Sequence, residues 1–368
     1  MKQLVLAGGG HAHLSVLQAF ANERPEGANL VLVTPNRYQY YSGMLPGWMA
    51  GHYRAEDCRI DLAPWAERAG ARLVLGSVSQ LDAQARTLHT DAAERIDYDL
   101  LSLDVGSETD SGALQPLGAR LLPVKPLDAF YTRWPKLMQL AQTTPNFALA
   151  VVGGGAAGVE VALAARQALD ALNVQAEVHL IVSRAGLLAG HAQGVQQRAA
   201  RNLAVAGVRL SDQRGVGVAE GIALQDGRLL PVHAAIAATG ARALAWLAES
   251  GLAVDADGFV KIDAQQRSVS HASVFAAGDT SARIDVALQR SGVHAVHSGP
   301  VLAHNLRAQL TGAALQSYHP RRRSLYLLSC GPQRAIASWG GFSAEGAWVW
   351  RWKDRIDRRF VQRFSPSE

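Results

Sequence analysis

Apolar and polar positions follow two periods along the chain, and they switch at glycines. Lys2–Ala7 (KQLVLA) is a short apolar run, Gly8, Gly9 and Gly10 follow, residues 12–20 carry apolar side chains at helical spacing, and residues 29–34 form a second apolar run. That pattern predicts strand, glycine turn, helix, strand. It recurs at Phe147–Val152 (FALAVV), the turn 153–158 (GGGAAG), an Ala-rich helix to about Leu172, and the run 177–183 (EVHLIVS). Two further apolar runs end in small residues: 234–240 (AAIAATG) and 273–279 (SVFAAGD). Strands that alternate with helices in this way predict parallel sheets.

Composition adds size and compartment to this picture. At 368 residues the chain is long enough for two to three domains, and 48% apolar against 18% charged residues is the balance of a chain that buries cores. No uninterrupted apolar run reaches the roughly 18 residues of a membrane span, and Lys2 with four apolar residues makes no signal peptide. Cys58 and Cys330 form neither a CxxC nor a disulfide framework. A cytoplasmic protein is expected. The formal charge is +5, yet residues 319–368 alone carry ten Arg/Lys against four Asp/Glu, leaving the rest of the chain slightly acidic. No nucleic-acid motif accompanies these charges, so nucleic acid is not an expected partner.

The two glycine turns carry the chemistry. Such a turn lets backbone approach a pyrophosphate, while the following helix N-terminus offers free N–H groups and about half a positive charge. The second turn has all three glycines, Gly153, Gly155 and Gly158. In the first, Gly8 and Gly10 stand but His13 occupies the third position, where glycine normally permits close helix–strand packing. The acid expected after each second strand is missing: Thr34 and Ser183 stand there, and Arg184 follows Ser183, which leans the second site toward a 2′-phosphate. Asp279, directly after Gly278 at a strand end, is placed to accept hydrogen bonds from ribitol or sugar hydroxyls.

With these segments in order, the sequence resembles the two-dinucleotide-binding-domain flavoproteins of the pyridine nucleotide-disulfide oxidoreductase superfamily over nearly its whole length. Within it the chain looks most like type II NADH dehydrogenases and sulfide:quinone oxidoreductases. The most similar branch is the FAD/NAD(P)-binding oxidoreductases associated with selenophosphate synthase, through GGGHAH (8–13), YSGMLPG (41–47), DVGS (104–107), VKP (124–126) and WVWRWKDRIDRRF (348–360). The resemblance implies an α/β fold with two Rossmann-like domains, for FAD at 1–122 with 258–312 and for NAD(P) at 123–257, and a C-terminal cap at 313–368. It implies FAD as cofactor, NAD(P)H as substrate and hydride transfer between them, then electron delivery to an acceptor, a quinone or another small molecule. Cofactor contacts are implied at Gly8, Gly10, His11, Ala12 and His13, at Thr34, Pro35 and Arg37, at Ser42, Met44 and Pro46, and at Gly106. Others fall at Gly153, Gly155, Gly158, Ser183, Arg184, Thr239, Gly240, Gly278, Asp279, Gly292 and Val293. Glu160 and Lys125 are the candidate catalytic residues at the flavin.

The departures narrow the chemistry. The isolated cysteines offer no redox pair. The quinone-site glutamines of type II NADH dehydrogenases are absent from residues 292–297 (GVHAVH), which leaves the acceptor open, and no Cys or carboxylate completes a metal set with His294, His297 and His304. A flavin-binding redox sensor or partner subunit remains the alternative. In the tail, Trp348, Trp350 and Trp352 alternate as on a strand, and Ile356, Phe360 and Phe364 follow at helical spacing among arginines. That segment either packs on its own FAD domain or lies peripherally on an anionic membrane.

Overall fold

The computed structural model describes residues 1–365 except 184, 289, 291 and 322. Two five-stranded parallel sheets organise it. In the first, Lys2–Ala7 sits at the centre, with Ala28–Thr34 and then Ala71–Leu75 on one side, Leu100–Leu103 and then Val274–Ala276 on the other. In the second, Phe147–Val152 is central, with Ala176–Val182 and Arg209–Asp212 on one side, Ala234–Ala237 and Leu121–Pro123 on the other. Leu4 to Ala7 and Leu149 to Val151 have no exposed surface, as expected for parallel strands covered on both faces. The helices His11–Asn22 and Ala156–Ala171 follow the two glycine turns.

Core packing marks where the chain passes from one sheet to the other. Leu114, Leu117 and Leu121 pack with Ala150, Ile181 and Ala235 of the second sheet. Ala243, Leu247 and Leu252 pack with Val5, Val31 and Leu101 of the first. The crossing point is the two-stranded ribbon in which Glu108 and Thr109 pair antiparallel with Arg242 and Ala241. Leucines decide both passages, because each belongs where its side chain is covered, while the Val-Lys-Pro segment merely follows the crossing.

After the helix Gly292–Thr311, the strands Leu325–Ser329, Ala335–Trp339 and Phe342–Gly346 form an antiparallel sheet, and the helix Ala347–Arg363 closes the described chain. The three tryptophans therefore stand on this helix and not on a strand. Trp348 and Trp352, one turn apart, stack at 6.5 Å between ring centroids, which an alternating pattern of three residues cannot distinguish from strand periodicity. The expected face of Ile356, Phe360 and Phe364 also splits: Phe364 is buried, Phe360 half-buried, and Ile356 exposed. Val349, Lys353, Asp357 and Val361 form the inward stripe.

This cap grips both halves of the molecule. Trp65 donates to the carbonyl of Phe364 at 2.7 Å, and Tyr53 donates to Asp354 at 2.7 Å. On the other side the carboxylate of Glu345 is almost fully buried among Arg198, Arg201 and Asn202 of the helix Gln193–Val205, together with Arg334. Burial alone would push that carboxyl up, but the hydrogen bonds from Arg334, Asn202 and Arg198 and the charge of Arg201 hold it below its ordinary range.

Candidate functional site: two glycine turns and a buried polar cluster

The two turns are built on the same hydrogen bonds. Gly8 N donates to Val33 O at 2.7 Å and Asp104 N to Ala7 O at 2.8 Å; in the second unit Gly153 N donates to Ile181 O and Ala238 N to Val152 O, both at 2.8 Å. Each turn glycine has positive φ, and a Cβ there would meet the backbone carbonyl of Asp104 at 2.3 Å or of Ala238 at 2.2 Å. Only glycine fits at Gly8 and Gly153.

The units differ in what fills the space beneath the helix. In the second, Gly158 lies so close that a Cβ would come within 1.8 Å of Gly153 O. In the first, the His13 ring occupies that space, fully buried, with Nδ1 at 2.6 Å from Gly8 O and Nε2 at 2.8 Å from Ser102 Oγ. Burial holds its pKa below the ordinary value, and both ring nitrogens are committed to the protein. Beside it, the buried Asp104 carboxylate accepts N–H groups from Ala12 at 2.8 Å and His13 at 3.0 Å. It fits only because Gly10 and Gly278 have no Cβ, which would come within 2.2 Å and 2.7 Å of it. Asp104, the first residue of the DVGS motif, was not among the expected contacts.

Around the first turn, Lys125 pairs with Asp279 and also donates to Ser107 at 3.1 Å. Thr280 Oγ1 accepts from Gly106 N at 2.9 Å, which ties the DVGS loop to the Gly278–Asp279 turn. His11 lies close to Tyr41 and Phe360, with ring centroids 5.6 and 5.8 Å away. Its Nε2 is buried without a hydrogen-bond partner among the described residues, and burial holds its pKa down. Thr34 is buried and hydrogen-bonded to Asn36 O, Pro35 is exposed, and Arg37 makes a bidentate pair with Asp61 at 2.8 and 2.6 Å. Met44 and Pro46 are buried in the core, so Ser42 is the exposed member of that segment; it lies opposite Gly292, where a Cβ would be 3.6 Å from Ser42 Oγ. Gly292 and Val293 begin the long helix Gly292–Thr311.

Glu160 stands apart from Lys125, in a cluster with the cap. Its Oε1 accepts Ser329 N at 2.8 Å, and burial raises its pKa to about 7 against the pull of Lys353. Lys353, itself buried, donates to Asp357 and to Gly43 O, both at 2.6 Å. Burial pulls the ammonium down, but the charges of Asp357 and Glu160 hold it above its usual value. Burial, and then the charge of Asp357, hold the Tyr41 hydroxyl well above its ordinary range. Tyr41 and Phe360 stack at 4.5 Å, and His11, which lies against both rings, sits in the fields of Asp104 and Asp279. The charged tail hid Lys353 and Asp357, whose i, i+4 spacing on the apolar side of a helix was the available signal.

At the second turn, a Cβ on Gly155 would find no atom within 4 Å, and the helix it caps has no side-chain cap and no acid in its first turn. Ser183 is exposed, Thr239 hydrogen-bonds Asp110 O, and Gly240 is open and exposed. Arg184 lies outside the described residues. Both turns thus fit a bound dinucleotide: an unpartnered buried nitrogen and an open Gly106 at the first, an open glycine and free helix N–H groups at the second. Cys58 and Cys330 are buried free thiols, and burial pushes both up to about 12, which disfavours the thiolate. No cluster of metal-binding side chains exists among the described residues.

Residues 2–309 match the family model for pyridine nucleotide-disulphide oxidoreductases. The chain is 26% identical over 180 residues to the NADH dehydrogenase-like protein YutJ of Bacillus subtilis, covering 47% of this chain and 48% of that one. It is 27% identical over 235 residues to an NADH dehydrogenase-like protein of Mycobacterium tuberculosis, covering 61% and 59%. The chain spans about half the length of these curated relatives. Its fold is shared by the sulfide:quinone oxidoreductase of Aquifex aeolicus, with TM-score 0.81, 17% identity and coverage of 100% and 93%. It is shared also by NDH2 of Plasmodium falciparum, solved with NADH, with TM-score 0.81, 14% identity and coverage of 98% and 97%.

The polar filling of the first unit generates a test. Asp104→Ala strips the acceptor from two buried N–H groups, and His13→Ala leaves Gly8 O and Ser102 unpaired over a void. Each variant is expected to lose about 1–3 kcal/mol of stability, read by denaturant unfolding of the flavin-free protein; stabilities equal to the parent would show that this network holds nothing.

Proposed function

Because this chain belongs to the pyridine nucleotide-disulphide oxidoreductase family, we propose that it is an FAD-dependent NAD(P)H oxidoreductase that delivers electrons to a small-molecule acceptor. The cofactor pair of that family is FAD with NAD(P)H. The observation that carries the proposal is the repeated turn, one hydrogen-bond pattern built twice on two sheets. FAD is assigned to the first turn and the nicotinamide nucleotide to the second. The units of the proposal are a discontinuous FAD domain, an NAD(P) domain between the two strands of the 108–109/241–242 ribbon, and the cap from 313 onward. The sheet memberships and the positions of Leu114 and Leu247 support that division.

When bound, the flavin supplies acceptance of a hydride and onward delivery of electrons. The chain's own residues orient and protonate. Gly8, Gly10, His11 and Ala12 would border a bound pyrophosphate, Asp279 would accept from ribitol hydroxyls, and Lys125 pairs with Asp279. Ser42 and the helix start at Gly292 and Val293 would hold the flavin, where a helix N-terminus favours negative charge. Gly153, Gly155 and Gly158 would receive the second pyrophosphate. Glu160, whose carboxyl burial pushes up to about 7, holds or releases a proton in the field of the Lys353 ammonium. The buried thiols support a route that does not pass through cysteine.

We also propose that the cap rests on an anionic membrane. Trp339, Phe342, Trp348, Trp352 and Ile356 are exposed on it beside Arg351, Arg355 and Arg359. An apolar strip rimmed by arginines suits an interface, and each basic residue near an anionic leaflet adds about 1 kcal/mol. No described helix is long and apolar enough to cross a bilayer.

Three outcomes are expected. Purified protein carries FAD that bleaches anaerobically with NADH or NADPH, and Asp279→Ala loses most of the flavin; a flavin spectrum indifferent to both nucleotides would favour a sensor. Only the neutral form of Glu160 can donate a proton, so reoxidation by a benzoquinone falls as pH rises through about 7; the inflection disappears in Glu160→Gln, and a parent profile without it removes the proton role. Vesicles containing phosphatidylserine retain the protein at low salt, and the double variant Trp348→Ser, Trp352→Ser no longer sediments with them while keeping its flavin.

A further inference from the structure

Beside the C-terminal end of the strand Ala176–Val182 lies a cavity of about 570 Å³. Its floor is apolar, from Val216, Ala223 and Leu224, and its rim carries Ser183, Gln225 and Arg214. Val216 and Leu224 belong to the antiparallel strands Gly215–Val218 and Gly221–Leu224, which stand next to the parallel sheet. In a βαβ nucleotide site the adenosine ribose falls at the end of the second strand, where an acid reads free 2′- and 3′-hydroxyls or a cation reads a 2′-phosphate. Ser183 holds that position here, and among the described residues no carboxylate lines the cavity.

Among the described residues, Arg214 is the cation that lines the cavity. Most other exposed arginines of this region are engaged: Arg209 with Glu177 at 2.7 Å, Arg228 with Asp226 at 2.7 Å, Arg242 with Glu108 at 2.8 Å. The guanidinium of Arg214 has no ion pair or hydrogen bond among the described residues, and its chain position is held by Gln225 N donating to its carbonyl at 3.0 Å. An apolar-lined cavity with an exposed, uncommitted arginine at its mouth is complementary to an adenosine carrying a phosphate monoester. We infer that Arg214, reaching from the antiparallel ribbon, is the residue that selects a 2′-phosphorylated nucleotide at the second turn. This rests on the assignment of that turn to NAD(P)H, and it shifts the selecting cation from the loop after the strand to the neighbouring ribbon.

The test separates the two ideas. Calorimetric titrations of the flavin-loaded protein use ADP-ribose and its 2′-phosphate as probes, with Arg214→Gln and Arg184→Gln as variants. Parent protein is expected to bind the 2′-phosphorylated probe about tenfold or more tightly than ADP-ribose, the gain of one charge-assisted contact. Arg214→Gln abolishes that ratio and leaves ADP-ribose binding within about twofold, while Arg184→Gln keeps most of it. Equal affinities in the parent, or a ratio that survives Arg214→Gln, overturn the inference and leave the nucleotide site standing. If neither probe binds the parent, the dinucleotide reading of the second turn fails, and the role of Arg214 fails with it.

Discussion

Everything placed at the two sites depends on how closely a glycine turn is pinned to the edge of a parallel sheet. In each unit the turn N–H is donated to the neighbouring strand, and the next strand over returns a bond to the residue before the turn. The backbone carbonyl of Asp104 or Ala238 then lies where a Cβ would otherwise be. This close approach aims the helix N-terminus over the strand ends, and that is where an anion is stabilised by free N–H groups. It also places Gly106 and Asp279 at the same end of the first sheet as Gly8.

The first unit meets the same constraint with different chemistry. Its helix has His13 where the second has Gly158, and a ring there needs polar partners because it is fully buried. Gly8 O and Ser102 Oγ supply them. Asp104 then takes the N–H groups of Ala12 and His13, so an internal carboxylate already answers part of the helix N-terminal field. The second helix, with Ala238 at the matching position, keeps its N–H groups open. Two turns of one design therefore differ in electrostatics, the first partly neutralised and the second free.

The cap owes its attachment to buried charge. Lys353 cannot be buried alone, since an unpaired ammonium costs several kcal/mol to desolvate. Asp357 one turn away and the carbonyl of Gly43 on the segment preceding Met44 satisfy it. Glu160 lies within its field and is hydrogen-bonded to the cap strand at Ser329. One helix from the far end of the chain thereby joins the first turn's surroundings to the second turn's helix. Glu345, held by three arginines, fastens the opposite edge of the cap.

The local patterns were sufficient for the two strand–turn–helix units, because apolar periodicity and positive-φ glycines are properties of neighbouring residues. Gly8, Gly153 and Gly158 were legible as close approaches, and Asp279 as a strand-end acid. The roles of Asp104, Lys353 and Asp357 were not, since each acquires its function from a group remote in sequence: the Ala12 and His13 amides, the Gly43 carbonyl, the Glu160 carboxylate. The same distance hid which core covers Leu114 and Leu247, and the inward turn of a helix whose tryptophans look strand-like when read alone. Sequence by itself determined which backbone conformations and which apolar faces form; tertiary structure decided which charges are buried together, because desolvation is set by the packing of distant segments and not by neighbours along the chain.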